Sequence, residues 1–182
     1  MKTVLIVEDE KMIRQGIKTM IMRSGVPIET IMECNNGETA LEILKEQEID
    51  VMFTDIRMPK MDGIELVQKM QSLEHIPLTV AISGYDDFAY AVEMLRNGVR
   101  EYILKPIERE KITEILKKLN AEIESRKEKE ENNQKIGYQQ MRHLMLSDEI
   151  SGEEQRTIES QYADHFYTGN YYVCCQNQVK RG

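Results

Sequence analysis

The strongest constraint on the fold is an alternation of short apolar segments with amphipathic helical patterns, which recurs five times in the first two-thirds of the chain. The first apolar segment, Thr3–Val7, is rich in β-branched residues, which is typical of a strand buried on both faces. Parallel strands need long crossover connections, and a helix usually forms each crossover. The alternation therefore predicts a parallel sheet that is covered by helices on both faces.

The pattern predicts five strands and five helices. The predicted strands are residues 3–7, 28–34, 51–54, 78–83 and 101–104. The predicted helices are residues 11–23, a segment after the Asn36-Gly37 turn, residues 64–73, residues 88–96 and a segment that starts near Glu110. One face of the first helix repeats apolar residues at helical spacing, and we expect it to enter the core: Met12, Ile13, Ile17, Met20 and Ile21.

The end of the chain differs in character from its first two-thirds. Residues 124–135 have no apolar side chain and contain neither Gly nor Pro, which favours a solvated helical spacer. Residues 136–150 are amphipathic again, residues 153–166 are predicted as a helix and residues 171–175 as a strand. Because one strand alone has no partners for its ladder, we expect the chain to stop inside a second domain.

The predicted fold class is α/β, because a doubly wound, flavodoxin-like sheet with the strand order 2-1-3-4-5 suits five strands. A C-terminal helical extension and the start of a second domain follow the sheet. The predicted domains are residues 1–123, a charged helical linker at residues 124–135, and an incomplete middle domain at residues 136–182.

Composition excludes several classes of function. The net charge is −8, with 24 Lys and Arg residues against 32 Asp and Glu residues, so no basic surface for the nucleic acid backbone is expected. The three cysteines form no Cys-x-x-Cys pair, which argues against a disulfide framework or a zinc site. Apolar runs are too short for a signal peptide or a membrane span, so we expect a cytoplasmic protein without membrane contact.

Residues suited to phosphoryl chemistry follow the predicted strands at one edge of the sheet, where ligands of doubly wound folds bind. Glu8 and Asp9 follow the first strand, Asp55 the third, Ser83 ends the fourth, and Lys105 follows the fifth. Clustered carboxylates repel one another unless a cation joins them, and oxygen ligands of this kind suit Mg²⁺.

The same residues suggest a division of roles. Asp55 is the candidate nucleophile toward phosphorus, because a carboxylate can form an aspartyl-phosphate. Lys105 and Ser83 are candidates for contacts with phosphoryl oxygens. Each residue alone has an ordinary interpretation, such as a helix cap for Asp9 or a turn for Asp55 and Ser83. Their convergence on one edge favours a functional site.

Four motifs resemble the receiver domain of bacterial two-component response regulators over residues 1 to about 120. They are VLIVEDE at residues 4–10, FTDIRMPKMDG at 53–63, AISGYDDF at 81–88 and EYILKP at 101–106. The resemblance implies that Asp55 is the phosphoacceptor and that Glu8 and Asp9 hold Mg²⁺. It also implies that the backbone carbonyl of Arg57 is a further metal ligand.

The resemblance extends to switching and to partners. It implies that Ser83 is the switch hydroxyl, that Lys105 contacts the phosphoryl group, that Tyr102 is the switch aromatic, and that the Lys105–Pro106 bond is cis. The chain looks most like the YesN-type regulators, in which an AraC-type DNA-binding module comes later in the chain. A sensor histidine kinase, a homodimer formed on phosphorylation, and DNA binding only through a module absent from this chain are therefore expected.

Three other hypotheses remain open at this point. A phosphatase with an aspartyl nucleophile would usually carry a second Asp two residues after Asp55, where this chain has Arg57. A flavin-binding domain would need a phosphate-binding loop after the first strand, where Glu8, Asp9 and Glu10 would repel the phosphate. A receiver-like module could also act by protein contact alone, and its partner binding would then not depend on Mg²⁺. We expect a phosphoacceptor that is not itself an enzyme.

Overall fold

A parallel sheet with helices between its strands forms the fold of residues 1–84 and 88–146, which the computed structural model describes. Its strands, β1 to β5, are Thr3–Val7, Thr30–Cys34, Val51–Asp55, Leu78–Ser83 and Glu101–Leu104. Its helices, α1 to α5, are Lys11–Met22, Gly37–Glu46, Gly63–Met70, Phe88–Arg96 and Arg109–Leu146. All neighbouring strands pair in parallel in the order β2-β1-β3-β4-β5, which confirms the predicted α/β class and topology.

Alternate residues of the strands face two separate apolar layers. In β1, Val4 and Ile6 point to one layer, while Leu5 and Val7 point to the other. The first layer is completed by side chains of α1 and α5, among them Ile17, Ile21, Ile112, Leu116 and Leu119. The second is completed by side chains of α2, α3 and α4, among them Ala40, Leu44, Leu66, Val67 and Met94. Burial on both faces explains the continuous apolar runs of the strands.

The strand register aligns the carboxyl ends of the strands along one edge. Val7 at the end of β1 pairs with Thr54 of β3, so Glu8 and Asp55 follow at adjacent positions. Ser83 at the end of β4 pairs with Leu104 of β5, so Lys105 emerges beside it. Residues that are distant in the sequence therefore share one edge of the sheet.

Side-chain caps start two of the helices that connect these strands. Asn36 Oδ1 accepts a hydrogen bond from the backbone N–H of Thr39 at 3.0 Å, at the start of α2. Asp62 Oδ1 accepts one from the backbone N–H of Glu65 at 2.8 Å, at the start of α3. Both caps satisfy backbone donors that a helix leaves without partners in its first turn.

The structure differs from the predicted elements at several boundaries and at one side chain. β2 begins at Thr30 instead of residue 28, because its ladder with β1 starts at the pair Thr3 and Thr30. α3 ends at Met70, since residues 71–73 form tighter turns. Met12 was expected in the core, but this residue is 84% exposed. It lies on the outward face of α1, about 100° away from the inward position of Ile13.

The predicted charged linker belongs to a helix. α5 runs from Arg109 to Leu146 and includes residues 124–135. The chain divides into two units, Met1–Arg126 and Lys127–Gly182, and the predicted domain bounds stay predictions. The predicted helix at residues 153–166 and strand at residues 171–175 lie outside the described residues. Among the helices that are described, none has the length and apolar character needed to cross a membrane.

Candidate functional site

Three carboxylates meet at the carboxyl edge of the sheet. Glu8 and Asp9 follow β1, Asp55 ends β3, and one oxygen from each lies within 4.8 Å of the others. Glu8 is fully buried and Asp55 is nearly so, whereas Asp9 is exposed. The predicted acidic cluster is therefore present, with its open side at Asp9.

The backbone around Glu8 is held from two sides. Its N–H donates to the carbonyl oxygen of Cys34 at 3.2 Å, and Arg14 Nη1 donates to its carbonyl oxygen at 2.6 Å. The backbone N–H of Glu10 also donates to Glu8 Oε1 at 3.3 Å. These contacts fix the direction in which Glu8 leaves the strand.

The Asp55 carboxylate makes a different contact at each oxygen. Oδ1 accepts the backbone N–H of Ile56 at 2.7 Å, and Oδ2 accepts the Lys105 ammonium at 2.9 Å. The loop after β3 then returns to the strand, because the N–H of Gly63 donates to the carbonyl oxygen of Ile56 at 2.8 Å. The strand end, the loop and the start of α3 are thus tied together around Asp55.

Lys105 lies between the two buried carboxylates. Its Nζ is 2.9 Å from Asp55 Oδ2 and 3.0 Å from Glu8 Oε2. The backbone N–H of Lys105 donates to the carbonyl oxygen of Ser83 at 2.7 Å, which attaches it to the end of β4. The Lys105–Pro106 peptide bond is cis, as the sequence resemblance implied.

Burial and charge shift the acid–base behaviour of two of these groups. Burial raises the pKa of Glu8 to about 7, and the Asp55 charge adds to this, while the Lys105 ammonium opposes it. Burial acts to lower the pKa of Lys105, but its contacts with Asp55 and Glu8 outweigh burial and raise that pKa. The site therefore favours a charged lysine, whereas burial disfavours the charged form of Glu8.

The donor set fits a hard divalent cation. All three clustered side chains offer carboxylate oxygens, which such ions prefer. Lys105 Nζ donates to Asp55 Oδ2 and lies 3.0 Å from Glu8 Oε2, which is buried and accepts no hydrogen bond of good geometry from the described residues. One lysine thus serves two buried carboxylates, and a further cation at Asp9 and Asp55 would neutralise the remaining negative charge of the cluster.

The remaining predicted residues lie on β4, on β5 and in the loop after β3. Ser83 ends β4 and is 2% exposed, and Tyr102 is a half-buried residue of β5 that packs against the second apolar layer. Arg57 lies in the loop after β3, where its Nη2 donates to Tyr90 Oη at 2.7 Å. The Arg57 guanidinium also lies 5.3 Å from the centre of the Tyr90 ring.

Two residues near the site have no signal in the sequence. Arg14 contacts the loop that carries Glu8 and Asp9, and Tyr90 forms one wall of an open cleft of about 540 Å³ beside Asp9. The other residues that line the cleft are Ile56, Arg57, Met58, Pro59, Asp62 and Ile64. No motif points to either residue, because both roles depend on contacts between separate elements.

Known proteins share this sequence pattern. Residues 4–117 match the family described as the response regulator receiver domain. YesN of Bacillus subtilis (strain 168), named an uncharacterized transcriptional regulatory protein, is 31% identical over 123 residues, which are 68% of this chain and 33% of YesN. The transcriptional regulatory protein HptR of Staphylococcus aureus (strain NCTC 8325 / PS 47) is 33% identical over 117 residues, which are 64% of this chain and 45% of HptR. The chain thus matches less than half the length of these curated relatives.

A solved structure shares the fold at similar sequence identity. The receiver domain of AraT, a response regulator from Geobacillus stearothermophilus, is 34% identical, with a TM-score of 0.60. That match covers 69% of this chain and 97% of the AraT structure. The family match over residues 4–117, the strand order and the acidic edge of the sheet agree with one another. The chain therefore belongs to the receiver domain family of two-component response regulators.

Proposed function

We propose that Asp55 accepts a phosphoryl group from a sensor histidine kinase and that this reaction depends on Mg²⁺. The observation that carries the proposal is the position of the Asp55 carboxylate. It ends β3 beside Glu8 and Asp9, and its Oδ2 is 2.9 Å from Lys105 Nζ. The Asp55 carboxylate thus lies beside two further carboxylates that could bind a metal ion and beside an ammonium group that could contact a phosphoryl oxygen.

The proposed transfer is a displacement at phosphorus. An Asp55 carboxylate oxygen forms a bond to the phosphorus of a phosphohistidine, the N–P bond breaks, and the electron pair of that bond returns to the imidazole. Lys105, already charged and beside Asp55, stabilises negative charge on the transferred group. Glu8, Asp9, Asp55 and the carbonyl of Arg57 would hold Mg²⁺, which would neutralise charge on the phosphoryl oxygens.

Phosphorylation would then act as a switch. The phosphorylated side chain carries about two negative charges and three phosphoryl oxygens at the end of β3, where the free carboxylate carries one charge. Ser83 is the candidate donor to one of these oxygens, and a change at the end of β4 would alter the packing of Tyr102 on the neighbouring strand β5. We propose that this change promotes a homodimer. Transcription would be controlled through a DNA-binding module of a longer protein, a proposal supported by two relatives that are named transcriptional regulatory proteins and extend well beyond the matched segment.

The proposal places the chain in the cytoplasm and describes a phosphoacceptor that does not turn over a substrate. Its main alternative is a receiver-like module that binds a partner without phosphorylation. An aspartyl phosphatase is disfavoured because Arg57, an exposed residue that donates to Tyr90, stands at the position where a general acid would be needed. Hydrolysis of a phosphomonoester with turnover would favour the phosphatase.

The proposal is tested by the intact mass of the 182-residue chain after incubation with acetyl phosphate and Mg²⁺. We expect a labile gain of about 80 Da, one phosphoryl group, which is lost in alkali and abolished by EDTA. The matched control is Asp55→Asn, which keeps the shape of the side chain and removes its nucleophilic charge. A gain of the same size in Asp55→Asn would overturn the assignment of Asp55.

A second arm separates the alternatives. Acetyl phosphate is a small substitute for the kinase, and a protein that requires the kinase would not react with it. If acetyl phosphate gives no labelling, the protein is therefore incubated with a phosphorylated histidine kinase domain. Failure to accept a phosphoryl group from both donors, in a protein that still binds its partner without Mg²⁺, would favour the contact-only module.

A further inference from the structure

Arg14 joins three parts of the molecule behind the acidic cluster. Its Nη1 donates to the carbonyl oxygen of Glu8 at 2.6 Å and lies 3.4 Å from that of Asp9. Its Nε lies 3.6 Å from Glu33 Oε2 on β2, and its backbone N–H donates to the carbonyl oxygen of Glu10 at 3.0 Å. One residue of α1 therefore contacts every residue of the turn that carries the two carboxylates.

The guanidinium contacts the backbone of this turn, and no hydrogen bond or ion pair is described between it and the side chains of Glu8 or Asp9. Arg14 therefore occupies neither carboxylate, while it holds the backbone that carries them. The Arg14 side chain is only 16% exposed, so water does not readily replace its contacts. A planar guanidinium can hold two acceptors in a fixed geometry, which an ammonium cannot do.

Glu33 fixes the guanidinium in turn. Its carboxylate accepts hydrogen bonds from Gln15 and Lys18 and forms an ion pair with Arg14. Three side chains of α1 therefore contact it. Glu33 on β2 thus positions Arg14 on α1, and Arg14 in turn contacts the turn after β1. Such outer contacts orient metal ligands in many proteins.

We infer that Arg14 is a positioning residue for the metal ligands Glu8 and Asp9, which it holds through their backbone carbonyl oxygens. The inference rests on the proposed Mg²⁺-dependent function and adds a residue that no sequence motif assigned to the site. Without Arg14, the turn would keep its carboxylates but lose the contacts that direct them toward Asp55.

The charge of Arg14 makes this inference sharply testable. Removing a cation from the neighbourhood of a metal site strengthens Mg²⁺ binding if charge alone matters. Loss of positioning acts in the opposite direction and weakens binding. The sign of the change therefore separates the two effects.

The experiment measures Mg²⁺ affinity of the full chain by isothermal titration calorimetry, for the unchanged protein and for Arg14→Met and Arg14→Lys. We expect Arg14→Met to weaken binding about tenfold or more. Arg14→Lys keeps the charge but lacks the planar guanidinium, so we expect its Mg²⁺ affinity to lie between that of Arg14→Met and that of the unchanged protein. Urea unfolding of each variant verifies that the protein being titrated is folded.

Lys18→Met is the matched control. It also removes one cation from α1 that contacts Glu33, but Lys18 makes no described contact with the turn after β1. We expect its Mg²⁺ affinity to stay within about twofold of the unchanged protein or to rise slightly.

The outcomes separate the inference from the function on which it rests. If the unchanged protein binds Mg²⁺ and folded Arg14→Met binds it equally well or more tightly, the inference is wrong and the proposed function stands. If the unchanged protein itself binds no Mg²⁺, the proposed Mg²⁺-dependent function fails, and the inference fails with it.

Discussion

A Cβ atom on Gly63 would lie 2.2 Å from the backbone carbonyl oxygen of Asp55 and 3.0 Å from the Cα atom of Ile56. The start of α3 therefore packs directly on the backbone that carries the candidate phosphoacceptor. The obstacle is backbone, which cannot move aside as the end of a flexible side chain can. Glycine is required here by space, since no other residue leaves room for this approach.

Gly63→Ala should consequently destabilise the protein by about 1–3 kcal/mol, the usual cost of forcing an atom into a packed region. Urea unfolding at equilibrium measures this loss. The matched control is Gly16→Ala in α1, where an added Cβ meets nothing within 4 Å. That variant should gain about 0.5–1 kcal/mol from helix propensity. Equal stability of the two variants would contradict the close approach of α3 to β3.

Substitution of Lys105 should change Mg²⁺ affinity and the rate of phosphoryl transfer in opposite directions. Lys105→Met removes the cation that lies beside both Asp55 and Glu8. Mg²⁺ should bind more tightly, because a competing positive charge is gone. The rate of phosphoryl acceptance from acetyl phosphate should nevertheless fall about a hundredfold, as for other losses of a charge-stabilising donor.

Calorimetry and a time course of intact mass test the two halves of that prediction. Lys118→Met, which removes an exposed lysine paired with Glu101, serves as the control and should change neither quantity. A parallel fall in Mg²⁺ affinity and transfer rate would mean that Lys105 supports the site only structurally.

The pKa of Glu8 predicts how stability depends on pH in the metal-free protein. The pKa is raised from 4.5 to about 7 by burial, so between these values the folded protein holds a proton that the unfolded chain has lost. The free energy of unfolding should therefore fall as the pH rises through this window and level off above it. Glu8→Gln removes this dependence.

Urea unfolding in EDTA, at several pH values across that window, compares the two proteins. The difference in stability between the unchanged protein and Glu8→Gln should grow steadily in favour of the variant as the pH rises. Curves that stay parallel would show that Glu8 ionises in the folded state as readily as in the unfolded chain.

Cys34 should resist alkylation in the native protein. Its side chain is buried at the end of β2, and burial raises the pKa of its thiol to about 11. The reactive thiolate is therefore scarce at neutral pH and is shielded from reagents. Iodoacetamide labelling followed by peptide mapping should modify Cys34 more than about tenfold faster in urea than in buffer. Comparable rates in both solvents would contradict the buried position.

The sheet and the acidic edge could be predicted from the sequence because both depend on local patterns. Apolar segments define the strands, and the parallel topology then brings the residues after them to one edge, as found for Glu8, Asp55 and Lys105. The prediction for Met12 was wrong because Met12 and Ile13 are both apolar, and apolar character alone does not show which of two adjacent helix residues faces the core. Its neighbour Ile13 is the residue that packs on the core.

Arg14 and Tyr90 could not be predicted because their contacts are made across elements. Arg14 contacts backbone carbonyl oxygens and a carboxylate of β2, and neither partner is encoded by a spacing along α1. Tyr90 meets Arg57 only because α4 packs beside the loop after β3. Side-chain types indicate the candidate site residues, whereas the residues that contact them are found only in the folded arrangement.

The place of β5 in the sheet has a consequence for the lifetime of the assembled site. β5 has four residues, pairs only with β4 among the strands that the structure describes, and ends at Leu104, which is 43% exposed. Short outer strands open by local unfolding more often than central ones. Since Lys105 is attached to this strand, each such opening would carry the lysine away from Asp55. The lifetime of the contact between Lys105 and Asp55 therefore depends on how often the edge strand β5 opens, even though β1 and β3 lie in the interior of the sheet.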